Sequence, residues 1–235
     1  MNILILIISI DSLPNYKKNK EVWKLYMNIK SNVHCYFIEN STDETKTYPY
    51  IENNTLYFKG EESFQNILEK TINGMDYFMN SGVHYDFIVR TNLSSVWCFE
   101  KLESYLASLP MQNIYTGPRG PYYHLQEHYF WFYFVGGMGI IMSNDICNLL
   151  VKHRSTAETF KNMDDIDIGY AMHTLNIPIL PINYYDINSL SDFEEKQSSV
   201  KWNEHIFYRA KCSTENRDDE PIYMSKMVKL IYFSE

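Results

Sequence analysis

Three short groups of residues in this 235-residue chain have the types and spacing to do chemistry. The densest is Met163-Asp164-Asp165-Ile166-Asp167-Ile168-Gly169, which sets three carboxylates at the mouth of a helical segment. Carboxylates clustered where a helix begins are either dipole-stabilised caps or a placed acid/base group facing a cleft. The second group is Arg90-Thr91-Asn92-Leu93-Ser94, where an apolar strand over residues 86–91 breaks into polar residues. In an open α/β sheet, ligands bind just past such a C-terminal strand edge. The third is the His-x-x-x-Arg-x-Lys face of His205, Arg209 and Lys211. These are three groups suited to an anion in a chain of net charge −8, or else a solvated face paired with Asp218, Asp219 and Glu220.

Other chemistries lack their residues. The glycine turn Gly136, Gly137, Gly139 is followed by no Gly-Lys-Ser/Thr and feeds a strand, so it is neither a P-loop nor a dinucleotide fingerprint. No serine sits in a GxSxG elbow and no histidine pair has metalloenzyme spacing. The acidic balance argues against a nucleic-acid partner, which would require a basic face.

The elements that must position these groups follow from periodicity. Residues 2–10 are a continuous Ile/Leu run, the pattern of a strand covered on both faces, and residues 17–29 have helical spacing. Strands are expected over residues 33–39 and 55–59, with a polar loop at 48–54 between them. The most regular helix covers residues 61–80. A helix over 99–109, stopped by Pro110, leads to a strand at 113–116 and a Gly/Pro loop at 117–121. Residues 122–134 hold eight aromatics, including Tyr123 and Trp131, which suit either a sugar-stacking wall or an aromatic ribbon under the sheet. A strand at 140–142 runs into a helix capped by Ser143 or Asn144, and a polar connector separates it from the acidic helix start. An edge strand at 177–182, a polar and mobile segment at 189–201, a last strand at 202–212 and a helix at 222–232 complete the chain.

A length of 235 residues with 45% hydrophobic content is enough for one large domain spanning the chain, and no linker or repeat divides it. Cys35, Cys98, Cys147 and Cys212 have no metal spacing and read as reduced thiols of a cytoplasmic protein. The opening apolar run lacks a basic flank and a cleavage site, so it reads as a strand and not a signal peptide. No segment reaches the ~18–20 apolar residues that span a bilayer, which predicts a soluble protein without a transmembrane segment.

Three stretches together carry a family resemblance: Arg90-Thr91-Asn92-Leu93-Ser94, Val135-Gly136-Gly137-Met138-Gly139-Ile140-Ile141-Met142-Ser143, and Asp164-Asp165-Ile166-Asp167-Ile168-Gly169. In order and spacing, over roughly residues 60–180, they resemble the KTDDD-like, GGGYVLS-like and EDVxxG segments of the fringe and β1,3-galactosyltransferase type of GT-A glycosyltransferase. The resemblance implies a GT-A-like α/β/α sandwich with a mostly parallel sheet. It also implies inverting transfer of a sugar from a nucleotide-sugar donor, a UDP-sugar, to a hydroxyl of a glycan or glycoprotein acceptor. Asp165 falls on the position of the family's catalytic base, with Asp164 beside it. In such a fold Ser9 and Asp11 flank the nucleobase, Arg90, Thr91, Asn92 and Ser94 meet the ribose and diphosphate, and Gly136, Gly137, Tyr123 and Trp131 face the acceptor.

The family's DxD aspartates bind the ribose and a divalent cation, Mn2+ or Mg2+. Here those positions hold Asn92 and Ser94, neutral residues that are poor ligands for a hard cation, so no metal ligand is assigned. A departing nucleoside diphosphate still needs positive charge. Arg209 and Lys211, with His205 near the place of a late family histidine, are the groups expected to supply it. Two other readings follow from the same residues. One is a catalytically silent GT-A domain that binds carbohydrate or nucleotide; the other is a nucleotidyltransferase, which would require acidic metal ligands.

Overall fold

The computed structural model describes residues 1–10, 13–124, 129–212 and 217–233. The opening Ile/Leu run forms strand β1 (Ile3–Ile8), and α1 (Pro14–Lys24) follows, with proline at its start where a missing N–H costs nothing. Next come β2 (Val33–Ser41), β3 (Tyr50–Glu52) and β4 (Thr55–Lys59). The expected loop at 48–54 therefore contains a strand. Asn53 and Asn54, at φ 49° and 59°, make the left-handed two-residue turn that a tight hairpin requires. A single 3-10 turn at Phe64–Asn66, capped by Ser63, precedes α2 (Ile67–Met79), so that helix starts later than residue 61.

The middle of the chain gives β5 (Phe87–Asn92), β6 (Ser95–Trp97), α3 (Phe99–Ala107), β7 (Tyr115–Gly117), β8 (Arg119–Tyr123), β9 (Phe130–Val135) and β10 (Ile140–Ser143). The helices α4 (Asn144–Lys152), α5 (Arg154–Phe160) and α6 (Asp164–Thr174) follow. The chain continues through β11 (Leu180–Pro181), β12 (Tyr185–Asp186), α7 (Leu190–Lys196) and β13 (Phe207–Arg209) to α8 (Glu220–Tyr232).

Four expectations fail here for local reasons. The Gly/Pro stretch at 117–121 is mostly strand, because β8 pairs only with β9 and Pro121 tolerates an edge position. The connector before residue 163 contains α5, held by the fully buried Ala157. The segment at 189–201 is not loose: Ser189 caps α7 by accepting the Asp192 N–H at 3.0 Å, and Phe193 is fully buried against Trp202. The expected last strand at 202–212 shrinks to β13.

The main sheet has eight strands in the order β11-β7-β10-β5-β1-β2-β4-β3. Only β10 and β3 run against the rest, so the sheet is mostly parallel. Alternation along β1 divides one apolar run between two cores. Ile3, Ile5 and Ile7 pack with Trp23, Phe99 and Met227 on one face, while Leu4 and Leu6 pack with Ile72, Leu150 and Met172 on the other. The result is the α/β/α sandwich. A small sheet, β12-β13-β6, stands beyond the C-terminal end of β5, and β8 and β9 form a separate ribbon.

Candidate active site at the C-terminal edge of the sheet

Register brings two distant stretches together. β10 pairs antiparallel with β5, with Ile140 opposite Arg90, so the turn that precedes β10 lies over the C-terminal end of β5. The contacts are specific: Thr91 Oγ1 and Ser95 Oγ donate to the Met138 carbonyl at 2.7 and 2.9 Å, and Trp97 Nε1 donates to Thr91 Oγ1 at 3.1 Å. Thr91 is thereby used in holding the turn. Two positions of the turn have no room for a side chain. A Cβ on Gly137 would lie 2.5 Å from Arg90 Nη1, and one on Gly139 would lie 2.7 Å from the Phe207 ring.

Arg90 is the centre of the site. Its guanidinium is 2% exposed, pairs with Asp164 Oδ2 at 2.7 Å, donates to Asn92 Oδ1 at 2.8 Å and donates to the Gly137 carbonyl. Among the described residues its buried Nε has no acceptor. Burial pushes the Asp164 carboxyl up from its ordinary range, and the Arg90 charge pulls it back.

Asp165 is placed differently. It is half-buried, accepts the Gly137 N–H on Oδ2 at 2.8 Å and accepts the Ile166 N–H on Oδ1 at 2.9 Å. Two backbone donors and the N-terminus of α6 orient one partly exposed carboxylate. Asp167 is buried, accepts the Asn162 N–H at 2.8 Å, and is pushed up to about 6 by burial, with Asp164 and Asp165 adding to the rise against the Asn162 hydrogen bond. The acidic cluster thus contains a buried ion-pair partner, an oriented accessible carboxylate and a buried loop cap.

Asn92 and Ser94 are engaged within the protein. Asn92 turns its oxygen to an arginine, and Ser94 is buried with its carbonyl accepting the Ala210 N–H at 2.7 Å. Among the described residues, no three His, Cys, Asp or Glu side chains converge to hold a cation. The residues present do not fit an Mn2+ or Mg2+ site of the DxD kind.

Positive charge approaches from the other side. β13 pairs with β6 so that Arg209 stands opposite Ser95, beside the end of β5, with Asp186 at 3.6 Å. Lys211 is held below its ordinary range by partial burial and by repulsion from Arg209 and Arg217, against the pull of Glu220 and Asp165. Lys211 therefore lies within the field of Asp165. His205 does not join them. Four residues earlier on the segment, as much as about 13 Å away, it packs on the rings of Tyr185 and Tyr208 at 5.0 and 5.5 Å.

Near the end of β1, Ser9 is also engaged: its hydroxyl donates to Glu39 and its carbonyl accepts from Lys70 Nζ at 2.9 Å. Lys20 pairs with Glu39 at 2.7 Å and Lys70 with Glu62 at 2.7 Å. Burial lowers the Lys70 pKa, and Glu62 opposes that shift. The sequence reading missed this network. Its one visible signal was a lysine between Ile67 and Gly74, on the apolar stripe of α2. Asp11 lies outside the described residues.

The aromatic stretch divides by face. Tyr122 and Phe132 turn inward to Phe160, Tyr170 and His173, and Trp131, at an irregularity in the ribbon, packs with the same rings. Tyr123 is on the opposite face, 52% exposed. One face of the stretch therefore packs on α5 and α6, and the other carries exposed rings. Gly136 belongs to the turn, its N–H bonded to the Pro118 carbonyl at 2.8 Å.

No protein-family model and no curated protein sequence matches the chain. Solved structures do. A glycosyltransferase involved in glycosylation of the major capsid of PBCV-1 superposes with TM-score 0.50 at 12% identity, covering 96% of this chain and 100% of that one. The inositol-1-phosphate CTP transferase from T. maritima gives TM-score 0.52 at 9% identity, over 97% of each chain. The 4-diphosphocytidyl-2C-methyl-D-erythritol synthase from Anaerococcus prevotii gives 0.50 at 9%, over 97% of this chain and 96% of that one. The shared property is the fold, a GT-A-like α/β/α sandwich.

Proposed function

We propose that the chain is a glycosyltransferase that moves a sugar from a nucleotide-sugar donor, a UDP-sugar, to a hydroxyl of a glycan or glycoprotein acceptor with inversion. The observation that carries this reading is the contrast between Asp164, buried on Arg90, and Asp165, half-exposed and oriented by Gly137 at the C-terminal edge of the sheet. The Asp165 carboxylate takes the acceptor hydroxyl proton as that oxygen bonds to the anomeric carbon. The bond from that carbon to the diphosphate oxygen breaks in line, and the diphosphate leaves with the electron pair. The leaving charge falls to Arg209 and Lys211, which do part of the work a divalent cation does elsewhere. Ser9, Arg90 and Asn92 shape the donor side, while Gly136, Gly137 and the ribbon border the acceptor. Four free cysteines fit a reducing, cytoplasmic setting. Among the described residues no helix is long and apolar enough to cross a membrane.

Two observations keep other readings in view. The neutral Asn92 and Ser94 favour a silent nucleotide- or sugar-binding domain, and two of the structural relatives are named for cytidylyl transfer. Donor turnover separates the silent domain from the enzyme, and a thermal-shift panel of nucleotide sugars and nucleoside triphosphates, with and without Mn2+, separates nucleotidyl from glycosyl transfer. A ligand at 100 times its dissociation constant adds about 2.7 kcal/mol of stability. Stabilisation by a nucleotide sugar without Mn2+ is expected; stabilisation by a triphosphate alone would favour nucleotidyl transfer.

A further inference from the structure

A second cavity lies away from the carboxylates. It has a volume of about 180 Å³ and sits between the root of the β8–β9 ribbon, the C-terminal end of α6 and the segment leading to β11. Its apolar lining comes from Tyr115, Met172, Ile177 and Ile179, and its polar groups come from Arg119, Tyr133 and His173. Among the described residues no acidic side chain lines it. The Arg119 guanidinium lies over the Tyr133 ring at 4.4 Å, and among the described residues no carboxylate pairs with it. In a chain of net charge −8, an exposed arginine left to an aromatic face marks a place for an anion.

The end of α6 opposes an anion less than a bare helix C-terminus would. Asn176, at φ 56°, turns the chain so that the Leu175, Asn176 and Ile177 N–H groups bond to the carbonyls of Ala171, His173 and Met172. The last carbonyls are therefore satisfied within the turn that shapes the cavity wall.

The cavity also opens onto an aromatic track. Strand alternation, with the register shift at Trp131, puts Arg119, Tyr123, Phe130 and Tyr133 on the outward face of the ribbon. Phe130 and Tyr133 are 45% and 44% exposed with ring centroids 4.7 Å apart, and Tyr123 is 6.3 Å beyond Phe130. Outward strand positions are ordinarily polar. Rings in their place offer flat apolar faces suited to the C–H faces of pyranose rings.

From this juxtaposition we infer that the outer ribbon face and its root cavity bind an acidic oligosaccharide, sugar rings on the Phe130–Tyr133 track and a sugar carboxylate against Arg119. The inference deepens the proposed function by naming the acceptor class. The cavity meets α6 at His173, eight residues or about 12 Å of helix beyond Asp165, so its α6 wall is not the wall that carries the carboxylate.

The test is direct binding, independent of turnover. A tetrasaccharide of alternating glucuronate and N-acetylglucosamine is titrated against its carboxyl-reduced neutral counterpart, by calorimetry and by amide chemical-shift mapping. The acidic sugar is expected to bind at least tenfold more tightly, with shifts at residues 119–123 and 130–135. Arg119→Gln should erase that preference, and Tyr133→Ala should weaken both sugars. Asp165→Asn should bind the acidic sugar like the wild type, so loss of transfer and loss of this site are read separately. Equal affinity for the two sugars, binding unaffected by Arg119→Gln, shifts confined to other surfaces, or no binding of either sugar would overturn the inference.

Discussion

At the residue scale, Asp164 and Asp165 are neighbours in the chain with opposite surroundings. Removing one partner of a buried ion pair costs about 3–5 kcal/mol, because the other charge is left unpaired. Asp164→Asn should therefore lower thermal stability by about that amount, through Arg90, while Asp165→Asn keeps a melting temperature near the wild type. Equal destabilisation of the two variants would show that the assignment of roles is wrong. Asp167 gives a pH signature. Its folded pKa, about 6, is above the ordinary carboxylate value, so the folded state holds a proton that the unfolded chain has released. The associated stability is complete below about pH 4 and is lost as pH rises through about 6. Asp167→Asn should remove that loss and gain on the order of 2 kcal/mol relative to the wild type at pH 7, as read by denaturant titration across the window. The sequence showed that acids cluster at a helix start. It did not show which one faces solvent, because that depends on Arg90 arriving from 74 residues earlier.

At the element scale, α6 is the piece whose placement sets the site, and Gly169 is how it gets close. A Cβ there would collide with the Phe134 side chain and lie 3.0 Å from the Phe134 Cα. Gly→Ala inside a helix gains about 1 kcal/mol in propensity, whereas forcing a backbone apart costs about 1–3 kcal/mol. The clash should win, so Gly169→Ala should be less stable than the wild type in thermal denaturation; a stabilised variant would mean that α6 does not pack tightly on β9. β1, β5 and β10 were legible from their apolar runs because burial on both faces leaves little ambiguity. β8, α5 and α7 were not. Each is held by tertiary contacts that have no local pattern, such as the β8 pairing with β9 and Phe193 against Trp202. Phe193→Ala should cost about 3–5 kcal/mol if α7 is a docked element.

At the scale of the whole molecule, an acidic chain concentrates Arg209, Lys211 and Arg217 beside one sheet edge and leaves Arg119 at another site. The GT-A-like sandwich was legible because the order of strands and helices, and the spacing of three short stretches, resemble that fold. The position of His205 was not, since the curve and register of β13 against β6 decide which residue of the strand meets the site. If the basic cluster neutralises the diphosphate, donor binding should survive EDTA and be lost in Arg209→Ala; full dependence on Mn2+ with an unaffected Arg209→Ala protein would reverse that assignment. The most direct measurement is nucleoside diphosphate release from a panel of nucleotide sugars with glycan acceptors, comparing the wild type with Asp165→Asn. The account predicts turnover of at least one donor, falling by ~10²–10⁴ in Asp165→Asn while donor affinity stays nearly unchanged. Full turnover by Asp165→Asn, or a wild type that binds donor and never turns it over, would contradict it.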